Sequence, residues 1–457
     1  MILALISTLL LALSPGPEGE VRDSLKASEV TASLKFTGAL FQQPVAATEV
    51  SMKRLEEDRI RSVGDLSAVA PNFFQPRYGS HITSSIYFRG FGSRIDQPVV
   101  GVYLDDVPLL NKNAYDFDFL DLRRAQVLRG PQSVLFGRNT SLGVIRLESL
   151  SPFDWTGVRA SAEAASNGSW KASSSLFQRP SERLGWSLSV AFSHEGGDFV
   201  NAYTGKRCGT GNSLSLKSRV QWLRENGWFF SNNLQANILK EGGYAYGLLE
   251  DGMVLPVNYN DPSGYRRLHV LDGFSARKSL SGAELSAAVS WQFLADRMDM
   301  DNDFTPASIF SLTQKQREHG LTAEVLIRTI PGTTAGAAYT YATSEGKRIP
   351  YAPESTVSLR GSHRWDIGKT WLDSITCNAL VRGVGRIWWD EENTLMQPFY
   401  PLLSASVRLD RGDFSFSLWG ENLTNTAYQA FWFRSLKRDF FAKGRPIRIG
   451  LSINYNI

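Results

Sequence analysis

The stretch Leu184-Gly-Trp-Ser-Leu-Ser-Val-Ala-Phe192 decides the fold. Leu184, Trp186, Leu188, Val190 and Phe192 take every second position, with Gly185, Ser187, Ser189 and Ala191 between them. A strand turns successive side chains to opposite faces, so this segment has one apolar face and one face of small groups. Leu214, Leu216, Val220 and Trp222 repeat the pattern against Ser213, Ser215, Lys217, Arg219 and Gln221. It returns in Leu285–Phe293, Ala335–Tyr341, Leu403–Leu409, Phe414–Leu418 and Leu451–Ile457. In a water-soluble sandwich the apolar face would be the core. Three features point instead to a membrane: strands of about 10 residues, a polar face of small hydrogen-bonding groups, and aromatic residues at strand ends. A bilayer leaves open strand edges unsatisfied, so such an array has to close on itself.

Composition narrows the alternatives. The chain has 457 residues, 42% apolar and 21% charged, which excludes a disordered polyelectrolyte and a membrane helix bundle. A net charge of +4 gives no reason to expect nucleic acid as a partner. Two cysteines, Cys208 and Cys377, are too few for a disulfide framework or a four-sulfur zinc site. The five histidines stand apart from one another, Gly90-Phe-Gly92 lacks the third glycine of a dinucleotide loop, and no nucleophile arrangement is present. Neither catalysis nor a cofactor or metal is expected. Asp296, Asp299, Asp301 and Asp303 read as a solvated loop rather than a cation site.

The N-terminal third has a different texture. Ile2 to Leu13 is an apolar run of signal-peptide length, so residues 1–20 are expected to direct export, the other reading being a buried element. A polar leader follows over 21–35. Met52, Leu55, Ile60, Val63, Leu66 and Val69 recur at helical spacing, which predicts a helix over Ser51–Ala70, stopped by Pro71. Short apolar runs at Ile82–Phe88, Val99–Leu104, Ala125–Leu128 and Gly143–Leu147, separated by glycine and proline, predict strands with tight turns. Residues 36–152 thus form a compact α/β domain ahead of a β-domain over 157–457.

Four ordered blocks in the smaller domain carry a resemblance. Ile86-Tyr-Phe-Arg-Gly-Phe-Gly92, Val102-Tyr-Leu-Asp-Asp-Val-Pro108, Val127-Leu-Arg-Gly-Pro-Gln-Ser-Val-Leu-Phe-Gly-Arg-Asn139 and Gly143-Val-Ile145 resemble the plug domain of TonB-dependent outer-membrane receptors. Asn422-Leu-Thr-Asn-Thr-Ala-Tyr428 is similar to the segment before that family's last strand. Gly450, Ile453, Tyr455 and Ile457 resemble its barrel-assembly signal, with Ile457 where phenylalanine is usual. Ser28-Glu29-Val30-Thr31-Ala32 is similar to the TonB box, a short extended peptide able to add a strand to a partner's sheet. The resemblance implies a transmembrane antiparallel β-barrel with an N-terminal plug, in the outer membrane of a Gram-negative bacterium. It implies as partners TonB, outer-membrane lipid, the barrel-assembly machinery and a small ligand, the commonest cargo being an iron chelate. By the same resemblance Arg89, Gly90, Asp105, Arg129, Gly130, Pro131 and Gly137 are plug motif positions, and Arg89 and Arg129 would pair with carboxylates of the barrel wall. Glu324, on the polar face of Leu321–Ile327, is the candidate partner. Asp106 replaces a usual glycine and Gln126 a usual glutamate.

One quantity does not fit. Residues 157–457 hold about 14 to 16 alternating segments, against the 22 strands that the resemblance implies. Transmembrane strands take about 9–11 residues each, so 301 residues leave almost nothing for loops in a full wall. An internal deletion is expected near 328–331, where an early-barrel pattern (Ser311 to Ile327) runs into a late one. The functional expectation is TonB-energised uptake of a scarce nutrient such as an iron chelate. The alternatives are a surface binding protein without transport, or a small passive channel.

Overall fold

The computed structural model describes residues 46–457 apart from 79–80, 82–84, 93–97, 133–135, 137–138, 243, 260–262, 281–282, 302–310, 330–349, 352, 354–355, 391 and 436. The signal-peptide, leader and TonB-box expectations therefore lie outside the described residues, as do Gly137 and the alternating stretch Ala335–Tyr341.

The plug is built on a five-stranded sheet. Its strands are β1 (Ala46–Ser51), β2 (Val100–Leu104), β3 (Val107–Pro108), β4 (Leu122–Arg129) and β5 (Gly143–Ser149), in the order β1-β4-β5-β2-β3. Only β2 and β5 run parallel. Val50, Val102, Val127, Ile145 and Leu147 from these strands pack with Leu55, Ile60, Val63 and Leu66 in one buried cluster.

The expected helix over Ser51–Ala70 is corrected: α1 covers only Met52–Glu57, and a 3-10 turn at Gly64–Ala68 follows. The apolar periodicity correctly marked the buried side chains but not a continuous helix. Arg59 interrupts it with a left-handed backbone (φ 54°), which aims its side chain at the wall. Such a conformation costs of order 1–3 kcal/mol and persists where the surroundings over-determine it. Asp105 and Asp106 also take positive φ (50° and 67°) in the turn between β2 and β3. Asp106 keeps that conformation while pairing with Arg146 at 3.1 Å. Gln126 lies between Arg146 and Glu49, accepting from one and donating to the other.

The wall is a 13-stranded antiparallel sheet. In chain order it comprises β6 (Gly157–Ala165), β7 (Trp170–Ser181), β8 (Leu184–Val200), β9 (Arg207–Leu223), β10 (Trp228–Gly242), β11 (Gly264–Leu280), β12 (Ala283–Asp301), β13 (Ser311–Thr329), β14 (Thr356–Lys369), β15 (Leu372–Val384), β16 (Tyr400–Arg411), β17 (Phe414–Glu421) and β18 (Arg448–Asn456). Neighbours in sequence pair, except β13 and β14, and β18 pairs with β6, so the first and last wall strands meet at a seam. Turns at 182–183, 224–227, 370–371 and 412–413 are short and mark the lower rim; the connections at 243–263, 385–399 and 422–447 are long and mark the upper rim. That asymmetry is typical of outer-membrane barrels.

The wall's faces settle the choice between sandwich and barrel. On β8, Leu188 is 51% exposed whereas Ser189 is 2% exposed. On β9, Leu216, Val220 and Trp222 face outward while Ser215, Lys217, Arg219 and Gln221 are buried. An apolar face turned away from the packed interior belongs in lipid.

Among the described residues no ladder joins β13 to β14, and the expected junction near 328–331 begins at the end of β13.

The interface between plug and wall

Three groups of polar contacts seat the plug. The first lies at the seam. Arg59 Nε donates to Glu421 at 3.1 Å, and its two terminal nitrogens donate to the Glu163 carboxylate at 3.0 and 3.2 Å. Arg61 donates to both oxygens of the same Glu163. The Arg59 guanidinium also sits 3.3 Å from the centroid of the Trp419 ring. Glu163 is on β6, and Trp419 and Glu421 are on β17, so one plug arginine reaches both sides of the seam. A planar guanidinium suits this double duty, since it can bind a carboxylate in the plane and a ring on its face.

The second group lies on α1. Arg360 of β14 donates to Asp58 Oδ1 at 2.6 Å and to Glu57, and Asn378 of β15 donates to the Glu57 carbonyl at 2.9 Å. Arg159 and Arg408 reach Glu56.

The third group lies across the lumen. Gln292 of β12 brackets one plug loop, donating to the Pro108 carbonyl at 2.6 Å and accepting from Leu110 N at 3.2 Å. Arg267 of β11 donates to the carbonyls of Asn113 and Asp116. Glu241 of β10 accepts from His81 N at 2.8 Å and lies 2.7 Å from its Nδ1, while Asp116 lies 3.7 Å from Nε2. Burial alone would lower the His81 pKa, but Asp116 and Glu241 overcome it and hold the imidazole up to about 9. His81 is therefore a cation at neutral pH.

Above the plug, the loop over 243–263 and the loop over 422–447 join through a four-stranded sheet. Tyr246 donates to the Tyr78 carbonyl at 2.7 Å, and the Tyr78 and Phe431 rings are 4.2 Å apart. Tyr87, Tyr351, Trp389 and Phe433 complete an aromatic cap. Beneath it, a cavity of about 370 Å³ separates plug from wall, lined by His81, Asp116, Glu241, Arg267, Arg382 and Lys443 among others. Amphipathic rings above a charged chamber can hold a ligand that is both aromatic and ionic.

The residues expected to carry function are distributed as follows. Asp105 accepts from Ser149 N and Oγ, and Arg219 of β9 lies 3.8 Å away. Arg89 (φ 52°) and Gly90 (φ 83°) form an exposed turn, and Gly130 (φ 103°) precedes the exposed Pro131. Arg129 donates to Thr48 within the plug at 2.6 Å. Glu324 stands opposite Ala288 in the register of β12 and β13, and its side chain lies outside the described residues. Gly450 is opposite Trp419, where a Cβ would meet the ring at 2.1 Å. Ile453 is opposite Phe416, Tyr455 packs on Phe414, and the Ile457 carbonyl accepts from Val158 N at 2.7 Å. Asp296 bonds Asn113 and Tyr265, which places it against the plug rather than in a solvated loop.

Arg59, Arg61, Glu163 and Glu421 were not singled out by sequence. A signal existed: Glu163 is a lone carboxylate on the small-residue face of β6, and Glu421 occupies the matching face of β17.

Residues 39–144 match the model of the TonB-dependent receptor plug domain. The pesticin receptor of Yersinia enterocolitica serotype O:8 is 27% identical over 180 residues, which is 39% of this chain and 27% of that protein. The ferrioxamine receptor of Yersinia enterocolitica is 30% identical over 131 residues, 27% of this chain and 18% of that protein. The matched region thus spans about a quarter or less of these relatives. In fold, the chain is similar to the ferric yersiniabactin uptake receptor FyuA from Yersinia pestis, with a TM-score of 0.74 at 14% identity over 90% of this chain and 98% of that one. The ferric preacinetobactin receptor BauA from Acinetobacter baumannii gives 0.52 at 13% identity, over 92% and 97%.

Proposed function

We infer that this chain, an outer-membrane plug-and-barrel protein of the TonB-dependent receptor type, captures a small ferric chelate at its upper rim and releases it inward when TonB pulls the plug. The observation that carries this reading is the seating of the plug. Around the seam and α1 it is held by discrete ion pairs at Arg59, Arg61, Glu57 and Asp58, contacts that can break and re-form while the wall's own ladders stay paired. The aromatic cap and charged chamber supply the two chemistries a ferric chelate presents. Pulling would act through Ser28–Ala32, which lead into β1 at one edge of the plug sheet.

The test is energy-dependent uptake of iron-loaded yersiniabactin and ferrioxamine, chosen from the relatives' names, by the chain and by a variant lacking Glu29–Ala32. Uptake that survives the deletion would refute TonB coupling. The lack of a ladder between β13 and β14 among the described residues favours a second reading, a surface protein that binds without transport; saturable binding with no uptake by either form would select it.

A further inference from the structure

The charges around the chamber beneath the aromatic cap do not all cancel. Nine carboxylates line it, and each has a cationic nitrogen within 3.7 Å. Asp116 and Glu241 share the protonated His81, and Arg267, which donates to the Asp116 carbonyl, brings a second positive charge to that group. Among the described residues two lining cations are left over, Arg382 of β15 and Lys443 of the 422–447 loop. Both are half-buried, and neither has an ion pair or a side-chain hydrogen bond to a described residue. The Arg382 Nε is enclosed and has no acceptor. A buried donor without an acceptor is costly, and uncancelled positive charge inside a walled chamber concentrates anions there.

The two cations flank one aromatic stack. The Tyr400 and Tyr428 rings are 4.4 Å apart and 10° from parallel. Tyr400 stands opposite Val384, two residues beyond Arg382, whose charge acts on the Tyr400 phenol. On the other side Gly444, directly after Lys443, donates from its backbone N to the Tyr428 carbonyl at 2.7 Å and lies so close to the Tyr428 ring that no Cβ would fit. The stack therefore ties a wall cation and a loop cation to the same end of the chamber.

Their chemistry suits an oxyanion. A planar guanidinium offers paired N–H groups to a carboxylate, and an ammonium adds a point charge without a fixed geometry. The chamber volume of about 370 Å³ lies near the low end for small-molecule sites, roughly 300–1,000 Å³, so the anion has to be compact.

We propose that Arg382 and Lys443 form an anion subsite that selects a small ferric chelate of net negative charge, held through its carboxylate groups, over cationic chelates. The proposal rests on chelate capture as the function of the chain and adds the class of chelate that is taken.

The test measures equilibrium binding of radio-iron complexes to the purified full chain, with ferric dicitrate as the anionic probe and ferrioxamine B as the cationic one. Ferric dicitrate should bind at least about tenfold more tightly, as expected for one charged hydrogen-bond partner. Its affinity should fall with added salt while that of ferrioxamine B does not, a readout that holds even where a variant fails to fold. R382Q/K443Q should cut the ratio of the two affinities at least about tenfold, with heat-modifiable migration reporting that the variant is folded. Iron-free citrate and inorganic phosphate should compete only weakly. Equal or tighter binding of ferrioxamine B, a ratio that survives in the folded R382Q/K443Q, or competition by citrate or phosphate as strong as by ferric dicitrate would each overturn the subsite. Binding of ferrioxamine B alone refutes the charge selection and leaves chelate capture standing. Binding of neither probe, nor of iron-loaded yersiniabactin, overturns both.

Discussion

Neutralising Glu163 should loosen the plug more than any other single change in the wall. Its carboxylate accepts from Arg59 and from Arg61, and Ser452 also donates to it at 3.3 Å. Glu163→Gln keeps the volume but leaves two cations with one remaining carboxylate, Glu421. Breaking a buried pair costs about 3–5 kcal/mol. The low end applies here, since Arg59 retains Glu421 and Trp419, and the Arg61 side chain is 35% exposed. About 3 kcal/mol corresponds to roughly 150-fold more undocked plug. A cysteine at Ser215, which is buried on the inner face of β9, reports undocking by reaction with a bulky maleimide in a C208S/C377S background. E163Q should raise the labelling rate by about two orders of magnitude and E421Q by less, because Arg59 then keeps its two bonds to Glu163. The double variant R59A/E163Q should show less than the sum of the single effects, since the two groups share one interaction. Labelling of E163Q within twofold of the parent, or strict additivity with R59A, would refute the seam as the plug's main anchor.

Other outcomes follow from separate features. His81 has its pKa raised to about 9, so its bond to Glu241 contributes stability that is fully present below the unfolded value near 6.5 and is lost as pH rises through about 9. Tryptic cleavage at Arg77 should therefore accelerate between pH 7 and 10, with pH values chosen to bracket that window, and H81A should abolish the acceleration; equal profiles would remove His81 from the clamp. Leu188→Arg, on the lipid face of β8, should reduce folding stability by about 2–4 kcal/mol, while Ser189→Ala on the inner face, which loses one hydrogen bond to Asp121, costs about 1 kcal/mol. Urea titration in detergent decides this, and a well-folded L188R would reverse the assignment of faces. Gly450→Ala would drive a methyl group into the Trp419 ring, costing about 1–3 kcal/mol, and should also loosen Arg59 from its aromatic seat. Raised maleimide labelling at Ser215→Cys in G450A would report that coupling; unchanged labelling would deny it.

The legible parts of the fold were those with a regular period. Alternation in Leu184–Phe192 and its repeats marked the wall strands, because lipid and plug impose opposite demands on successive side chains. The same logic could not number them completely: thirteen wall strands are described where about 14 to 16 were expected, and Ala335–Tyr341, counted among them, lies outside the described residues. Helical spacing over Ser51–Ala70 found buried residues but missed the break at Arg59, since a left-handed backbone at arginine is fixed by partners more than a hundred residues away. The plug motifs were legible through turn glycines, yet the anchoring pairs were not. Glu163 and Glu421 acquire meaning only when β6 and β17 are brought together by the seam. Asp106 stands where glycine is usual, and Arg146, which holds it in the turn, arrives on another strand.

The seam also bears on time. Arg59 is made early, Glu163 about a hundred residues later, and Glu421 362 residues after Arg59. Pairing across such a separation is slow to find by chance. An arginine that already holds the first wall strand and awaits the last hairpin shortens that search, acting as a clasp fastened on one side before the other arrives. The plug would then be an assembly scaffold for its own enclosure before it is ever a gate. Variants at Arg59 should delay maturation in the membrane even where the finished protein, once closed, shows the same strands in the same register.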